Sequence, residues 1–414
     1  MLQEDKRPYH LDVLTADRLV DGILRSNPER GAAVALVDGD EQVTYAELSN
    51  RVADRADHFG LDDRSFVVLT GDRSIEFVVS YLALLDRGHV PLLAGDHVDD
   101  LAKSWDAAAV IDASRDSLTI TRRRHAEVSA HPDLALLLST SGSTGSPKLV
   151  RLSHANLSSN ATAIATYLNL DARDVGISSL PTHYCYGLSV LHSHLLVGAS
   201  MAMCDASVVD PCFRDVLERR AVTNVAGVPH TFGLLDRAGP ERLFVPSLRF
   251  VTQAGGRLAP DAVRRWISLC ETRGVDFYVM YGQTEATARM AYLRPEDGAR
   301  FPSAIGRPIP GGSFTLRPVE GCADDVGELV YRGPNVMLGY AEHPDDLGSG
   351  REIDELPTGD LARYDPVGDV YEIVGRASRF IKPFGVRIDL DEVEAWIRRQ
   401  LGAGVDIAAL VERA

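Results

Sequence analysis

The chain has 414 residues, of which 45% are hydrophobic and 25% are charged, a composition that is typical of globular proteins and excludes a wholly disordered chain. This length exceeds one ordinary hydrophobic core and predicts at least two domains or subdomains. The 43 basic and 59 acidic residues give a formal charge of -16, which disfavours a nucleic-acid partner or an anionic membrane surface.

The cysteines and the N-terminus indicate the compartment. The five cysteines form no CxxC pair, which predicts thiols in a reducing environment. His183, His192 and His194 have no accompanying set of carboxylates or thiolates, so the sequence does not favour zinc. The N-terminus lacks the apolar core of a signal peptide, and no stretch reaches the ~18 apolar residues of a membrane span. We predict a cytoplasmic protein without membrane insertion.

The first part of the chain alternates helices with buried strands. Thr44 and Glu47 have the spacing of a capping box before an amphipathic helix. A strand over residues 65–71 and a helix that ends at Gly88 follow. Further segments continue the alternation: strands at 134–138, 175–180, 224–229, 248–256 and 276–282, and helices at 153–168 and 260–274. This order predicts an α/β fold with doubly wound, largely parallel sheets.

From about Gly311 the pattern changes to strands and turns. We predict a large N-terminal domain over residues 1–374, within which about 311–374 form a small β-rich subdomain. Residues 375–414 are predicted to begin a small α+β C-terminal domain, in which the helix "LDEVEAWIRRQL" presents an apolar stripe.

A glycine- and serine-rich loop follows the apolar strand at 134–138. It fails the Walker A pattern, because Pro147 stands where the second glycine is required. It still suits a phosphate, because Gly142 and Gly145 permit an amide nest, hydroxyls alternate with them, and Lys148 adds a positive charge. The alternative, a flexible linker, fits poorly between a strand and a helix.

Five motifs, the first of which contains this loop, occur in a fixed order. They are "TSGSTGSPKLV" from Thr140, "YGQTEATARM" from Tyr281, "GELVYRGPNVMLGY" from Gly327, "TGDLARYD" from Thr358 and "GRASRFIKPFGVRI" from Gly375. Together they resemble the adenylate-forming superfamily of acyl-CoA synthetases and peptide-synthetase adenylation domains. The resemblance implies an enzyme, an AMP-forming acid–thiol ligase that uses ATP and Mg²⁺ to convert a carboxylic acid into an acyl-adenylate and then passes it to CoA or a carrier protein. It leaves a homodimer open.

The resemblance also implies roles for residues around ATP. The loop residues Thr140, Ser141, Gly142, Ser143, Thr144, Gly145 and Lys148 would grip the pyrophosphate, with Thr140 and Lys148 as catalytic residues. Tyr281 and Gly282 would contact adenine, Thr284 the α-phosphate, and Glu285 the metal ion. Gly255 and Gly256 would allow the backbone to approach adenine. Asp360 and Arg376 would bind the ribose; from the residues alone, half of a surface ion pair remains the alternative for each.

The same resemblance implies an acid pocket. His183 would lie beside the substrate carboxylate, and a structural histidine bonded to a backbone carbonyl remains the alternative. The predicted lining is Tyr184, Tyr186, Gly187, Gly227, Val228, Pro229, Gln253 and Ala254. The segment "THYCYGLS" contains no aspartate that would pair with a substrate ammonium, so we expect an acid without an α-amino group.

Two departures from the family pattern affect the expected activity. Ser378 replaces the usual hinge Asp or Lys, and the C-terminal domain is short, without the near-terminal lysine that contacts the α-phosphate; Lys382 is not that residue. We expect either a truncated chain or a naturally short protein, with slow adenylation by residues 1–414. The alternative function is a noncatalytic or partner-dependent nucleotide-binding protein of the same fold.

Overall fold

The computed structural model describes residues 18–25, 30–61, 64–123, 130–139, 148–376, 380–381 and 388–389. The α-helices in these ranges are α1 (Leu19–Leu24), α2 (Tyr45–Phe59), α3 (Ile75–Arg87), α4 (Val98–Ser104), α5 (His154–Tyr167), α6 (Cys185–Val197), α7 (Pro211–Arg219), α8 (Pro229–Ala238), α9 (Pro260–Glu271) and α10 (Pro295–Gly298). Short 3₁₀ helices occupy Pro240–Leu243, Thr284–Ala286 and Pro344–Gly348.

The strands of the same ranges follow in chain order. They are β1 (Val34–Asp38), β2 (Glu41–Thr44), β3 (Phe66–Thr70), β4 (Val90–Leu93), β5 (Ala109–Ser114), β6 (Ser117–Arg122), β7 (Leu134–Ser139), β8 (Leu149–Ser153), β9 (Val175–Ile177), β10 (Ser200–Met203), β11 (Asn224–Gly227), β12 (Phe250–Gln253), β13 (Asp276–Tyr281), β14 (Ala291–Leu293), β15 (Ala304–Pro308), β16 (Ser313–Pro318), β17 (Val326–Arg332), β18 (Gly339–Ala341), β19 (Leu356–Asp365), β20 (Val370–Arg376), β21 (Phe380–Ile381) and β22 (Ile388–Asp389).

Two large sheets form the frame of the fold. One has 13 strands in the order β16-β17-β19-β20-β15-β14-β13-β12-β11-β9-β10-β1-β2, and the other has 7 in the order β18-β8-β7-β4-β3-β5-β6. The central strands are parallel: β12 pairs so with β11 and β13, and β3 with β4 and β5. The predicted α/β class with doubly wound sheets is confirmed. No helix of the described ranges is both long and apolar enough to cross a membrane.

The helices pack on both faces of these sheets. Helices α2, α3, α5 and α6 lie between the two sheets, where Leu48, Tyr81 and Leu157 belong to one buried cluster. Helices α7, α8 and α9 cover the outer face of the 13-stranded sheet around Trp266. Helix α4 and Trp105 cover the outer face of the 7-stranded sheet. Burial of apolar side chains in all three layers stabilises the sandwich.

Local sequence explains where the first helices begin and end. The Thr44 side chain accepts a hydrogen bond from the Glu47 amide, and the Glu47 carboxylate accepts one from the Thr44 amide. This is the predicted capping box. Helix α3 ends at Gly88, whose φ of +78° is a conformation that favours glycine. Both predictions are confirmed.

The β-rich part predicted for about 311–374 does not form a sheet of its own. Strands β16, β17, β19 and β20 extend the 13-stranded sheet through β15, while β18 pairs with β8 in the other sheet. This arrangement places β16 at one edge of the 13-stranded sheet and β18 at one edge of the 7-stranded sheet. The domain boundary at 374 stays a prediction, and the helix predicted near the C-terminus lies outside the described residues.

Candidate active site

The candidate site begins at the end of β13, where a side chain of this strand contacts a side chain of β19. Strand β13 carries Tyr281 at its last position, and the Tyr281 hydroxyl donates a hydrogen bond to Asp360 Oδ2 at 2.5 Å. Asp360 lies within β19 and is only 4% exposed. Burial and the neighbouring Asp360 carboxylate hold the pKa of Tyr281 well above its usual value. The phenol therefore stays protonated and fixes both side chains.

Two further donors converge on the same carboxylate. Arg376 stands directly opposite Asp360 in the β19–β20 ladder, and its Nε donates to Asp360 Oδ1 at 3.1 Å. Gln283 Nε2 donates to Asp360 Oδ2 at 3.2 Å and to the Thr358 carbonyl at 2.9 Å. Asp360 and Arg376 therefore form an ion pair. Unlike the carboxylate of a surface ion pair, that of Asp360 is buried. A two-oxygen acceptor of this kind suits a pair of adjacent sugar hydroxyls.

Glu285 is held by contacts with residues in β18 and just before it. It lies in the 3₁₀ turn Thr284–Ala286, and its backbone carbonyl accepts a hydrogen bond from the Met337 amide at 2.9 Å. The Tyr340 hydroxyl donates to Glu285 Oε1 at 2.8 Å. Sequence reasoning assigned no role to Tyr340, although it is the last residue of the third quoted motif.

Tyr340 also connects Glu285 to Lys148. The Lys148 ammonium lies 5.8 Å from the centroid of the Tyr340 ring and 2.6 Å from Glu342 Oε1. The register explains this: Tyr340 pairs with Val150 and Ala341 with Leu149 in the β18–β8 ladder, so Glu342 follows opposite Lys148. Tyr340 thus links the candidate phosphate lysine and the candidate metal ligand.

The remaining residues predicted for the phosphate loop, Thr140, Ser141, Gly142, Ser143, Thr144 and Gly145, lie outside the described residues. The hinge residue Ser378 and Lys382 also lie outside them. Their roles stay predictions.

Glu285 fits the way in which proteins usually hold Mg²⁺ on a nucleotide. In the described part of the chain no three His, Cys, Asp or Glu side chains cluster as a metal cage. Mg²⁺ bound with ATP takes one or two protein carboxylates and completes its octahedron with phosphate oxygens and water. A single partly exposed carboxylate is therefore a compatible donor, and buried His192 and His194 instead hydrogen-bond to Tyr81 and Asn224.

Thr284 contacts a residue that sequence reasoning did not select. Its hydroxyl lies 3.5 Å from the sulfur of Cys185, the first residue of α6. Burial raises the pKa of the Cys185 thiol to about 11, so this thiol is protonated near neutral pH. A protonated thiol is a poor nucleophile, and Cys185 is better suited to position Thr284.

Several residues predicted for the acid pocket meet around Gly255. Gly255 has a φ of +77°, and a Cβ placed there would lie 2.4 Å from the Tyr184 hydroxyl and 3.1 Å from Val228 Cγ1. A Cβ on Gly256 would lie 3.1 Å from Pro229 Cγ. The two glycines therefore allow α6 and the start of α8 to approach the turn that follows β12.

Other predicted pocket residues support this turn from behind. Gln253 is 1% exposed and donates through Nε2 to the Gly256 carbonyl at 2.8 Å. Tyr186 is buried, and its hydroxyl donates to the Thr252 carbonyl at 3.0 Å. Close approach also explains two glycines: a Cβ on Gly187 would lie 2.2 Å from the Pro181 carbonyl, and one on Gly227 would lie 3.0 Å from Phe232. Ala254 is buried beside Gln253.

The side chains of His183 and Tyr184 contact different segments of the chain. A Cβ on Gly95 would lie 2.5 Å from His183 Cε1, which places the imidazole against the segment after β4. Desolvation lowers the pKa of His183 against the opposing effect of Asp96, so the ring is mostly neutral near pH 7. Gly282 is also tightly packed, since a Cβ there would lie 1.8 Å from the Ala288 carbonyl oxygen.

Comparison with known proteins shows the family of the chain. Residues 94–341 match the family model for AMP-binding enzymes. The chain is 28% identical to an oxalate–CoA ligase of Arabidopsis thaliana, over 93% of this chain and 83% of that protein. It is also 28% identical to the phenyloxazoline synthase MbtB of a Mycobacterium species, of which it spans only 36%.

A solved structure has the same fold. The O-succinylbenzoate coenzyme A synthetase of Bacillus subtilis, in complex with ATP and magnesium ion, superposes with a TM-score of 0.75 at 22% identity, over 93% of this chain and 84% of that one. The resemblance inferred from the motifs is confirmed. The chain belongs to the AMP-binding enzyme family, which places it with the AMP-forming acid ligases.

Proposed function

We propose that this chain uses ATP to activate a carboxylic acid as an acyl-adenylate and then transfers the acyl group to a thiol. The observation that carries the proposal is one connected set of contacts at the end of β13. Tyr281 contacts Asp360, and four residues further Glu285 contacts Tyr340, which lies beside Lys148. A sugar acceptor, a candidate metal ligand and a phosphate lysine in this order match the parts of a nucleoside triphosphate.

The chemistry assigns a task to each of these residues. A carboxylate oxygen of the acid attacks the α-phosphorus, the bond from that phosphorus to the bridging oxygen breaks, and pyrophosphate leaves. Lys148 stabilises the negative charge on the departing phosphates, Thr284 orients the α-phosphate, and Asp360 holds the ribose. Mg²⁺ on Glu285 would neutralise phosphate oxygens. A thiolate then attacks the acyl carbon, and the bond to AMP breaks.

The pocket around Gly255 supports an acid without an α-amino group. Tyr184, Val228 and Pro229 offer a hydroxyl and apolar surface but no carboxylate. An ammonium desolvated there would lack a partner, which is costly. Burial raises the pKa of Tyr184 to about 12, so its hydroxyl is a neutral donor for an oxygen of the acid.

Acid-dependent exchange of labelled pyrophosphate into ATP tests the proposal. We expect exchange with at least one member of a panel of carboxylic acids, and loss of exchange in Glu285→Gln. The matched control is Glu296→Gln, since Glu296 is an exposed residue of α10 that pairs with Arg294. ATP binding without exchange on any acid would instead support a noncatalytic nucleotide-binding protein.

The thiol acceptor needs a separate assay. Incubation of the enzyme, ATP and acid with either CoA or a phosphopantetheinylated carrier protein distinguishes the two acceptors by the thioester formed. Neither acceptor is favoured by a contact among the described residues. The cytoplasmic location and the homodimer likewise stay predictions.

A further inference from the structure

Arg289 is a buried cation that contacts only neutral groups in the described part of the chain. It is 2% exposed, and among the described residues no carboxylate lies within ion-pair distance of its guanidinium. Its Nη1 donates to the Tyr167 hydroxyl at 3.1 Å and lies 3.3 Å from the Met280 sulfur, while its Nε has no acceptor. The guanidinium carbon lies 5.0 Å from the centroid of the Tyr186 ring. These contacts are all neutral.

A second buried arginine shows how this chain neutralises such a charge elsewhere. Arg151 is 0% exposed, and its Nη2 lies 2.7 Å from Glu352 Oε2. Its Nε donates to the Tyr340 carbonyl at 3.1 Å, and its Nη1 donates to the carbonyls of Ser349 and Gly350. Glu352 thus compensates the charge of Arg151, although Nη2 makes no hydrogen bond of its own. No anion compensates Arg289 in the part of the chain that the structure describes, which costs stability unless a ligand supplies one.

Arg289 lies next to the proposed acid pocket. It follows the turn that holds Glu285, and a Cβ on Gly282 would lie 2.7 Å from the Arg289 Cα. The Tyr186 ring on which its guanidinium rests contacts the Tyr184 ring edge-on, with centroids 6.3 Å apart. Tyr184 is the residue whose hydroxyl faces Gly255. The guanidinium therefore rests against the first turn of α6, where Tyr186 connects it to Tyr184 and so to the Gly255 turn.

We propose that Arg289 binds a second carboxylate of the acid, so that the substrate is a dicarboxylic acid; this inference rests on the proposed function. The distal carboxylate pairs with Arg289, and the other carboxylate is left to attack the α-phosphorus. A guanidinium presents parallel N–H donors that match a carboxylate in a bidentate pair. The unsatisfied Nε is one of these donors. A monocarboxylic acid of equal length leaves the buried charge unpaired and binds less tightly.

Pyrophosphate exchange with matched acids tests the substrate class. The pairs are butyrate with succinate, hexanoate with adipate, and benzoate with phthalate. For at least one pair we expect the diacid to exceed the monoacid in kcat/KM by about 30-fold or more, the effect of pairing a buried charge. In Arg289→Met this ratio falls to near one, and in Arg289→Lys it is intermediate. Equal use of both acids by the native chain, or a ratio retained in Arg289→Met, would overturn the inference.

Thermal unfolding without and with each acid separates this inference from the proposed function. Diacids should raise the Tm of the native chain more than monoacids do, and Arg289→Met should abolish the difference. Without ligand, Arg289→Met should match or exceed the native Tm. Arg151→Met should unfold at a lower temperature, because the carbonyls of Tyr340, Ser349 and Gly350 lose their donor. If a diacid-specific Tm shift depends on Arg289 but no acid supports exchange, the proposed function is refuted and the anion site is supported. No diacid-specific shift and no diacid-specific exchange refutes the site.

A structural role for Arg289 predicts the opposite pattern. In that case Arg289→Met lowers the Tm of the unliganded protein as Arg151→Met does, and Arg289→Lys leaves the choice between monoacid and diacid unchanged. If Arg289→Met fails to fold, the diacid preference of Arg289→Lys decides: a preference equal to that of the native chain contradicts the inference.

Discussion

The hydroxyl of Tyr281 donates to Asp360 across 2.5 Å, although 79 positions separate the two residues in the chain. The bond fixes the aromatic ring at the end of β13 and the carboxylate of β19 relative to each other before any ligand binds. Preorganisation of this kind lowers the entropic cost of binding. It also makes the candidate ribose site sensitive to small changes at either residue.

Asp360→Asn should weaken ATP binding without unfolding the protein. The substitution keeps the shape of the side chain but removes the charge that accepts from Tyr281 and Arg376. Since hydrogen bonds to a charged group contribute about 1.5–3 kcal/mol, we expect the KM for ATP to rise about 10- to 100-fold. Asp369→Asn is the control, because Asp369 accepts from the Tyr364 hydroxyl in an exposed pair on the same sheet. Equal effects of the two substitutions would argue against a ribose site.

Tyr340→Phe should raise the Mg²⁺ concentration needed for half-maximal exchange. The ring beside Lys148 remains, but the hydrogen bond that orients Glu285 is lost. One neutral-to-charged bond at a partly exposed position suggests an increase of about three- to tenfold. Titration of Mg²⁺ at saturating ATP and acid measures it. Unchanged Mg²⁺ dependence, in a chain where Glu285→Gln is inactive, would show that Tyr340 does not position Glu285.

Gly255→Ala should impair use of the acid more than it impairs folding. The added Cβ meets the Tyr184 hydroxyl at 2.4 Å and also suffers the cost of a positive φ. Gly274→Ala isolates the second effect, because Gly274 has a φ of +68° with open space at its Cβ position. We expect both variants to lose about 1–2 kcal/mol of stability. Only Gly255→Ala should lose about tenfold or more in kcat/KM for the acid.

Removal of the Tyr184 hydroxyl provides the complementary test of that contact. In the double variant Gly255→Ala with Tyr184→Phe, the shortest contact of the new Cβ is no longer 2.4 Å, so part of the lost acid use should return. A double variant that is no better than Gly255→Ala alone would place the defect in the backbone.

The stability of the fold should decrease below about pH 6.5. Burial, with smaller effects of Arg18 and Arg64, lowers the pKa of His154 to about 4. An unfolded histidine binds a proton near pH 6.5 while the folded one remains neutral, so acidification favours the unfolded chain and stability is lost between these pH values. Between about pH 7.5 and about pH 5.5 this histidine alone accounts for about 1 kcal/mol. Urea unfolding at both pH values should show a smaller loss in His154→Gln.

The control for this prediction is a histidine on the surface. His58 lies exposed in the last turn of α2, so His58→Gln should leave the pH dependence of unfolding as in the native chain. If His154→Gln retains the whole acid sensitivity, another buried group is responsible. His192 is then the next to replace, since burial lowers its pKa to about 3.

Much of the fold could be predicted from the sequence because its signals are local. The capping box of Thr44 and Glu47, the closing glycine of α3 and the apolar stripe of α9 around Trp266 each lie within a few residues of one another. Periodicity and capping act over one or two helical turns and do not depend on distant contacts. Motif order likewise identified the family, because each motif is contiguous.

The sequence by itself determined the α/β class, the family and the candidate nucleotide residues. The predicted phosphate-binding role of residues 140–147 also comes from the sequence. Only the tertiary structure decided which of these residues touch. The bond from Tyr340 to Glu285, the pairing of Glu342 with Lys148 and the turn of Gly255 against Tyr184 all depend on strand register across large separations. The burial of Arg289 without an acidic neighbour among the described residues was also invisible in the sequence, because both are properties of packing.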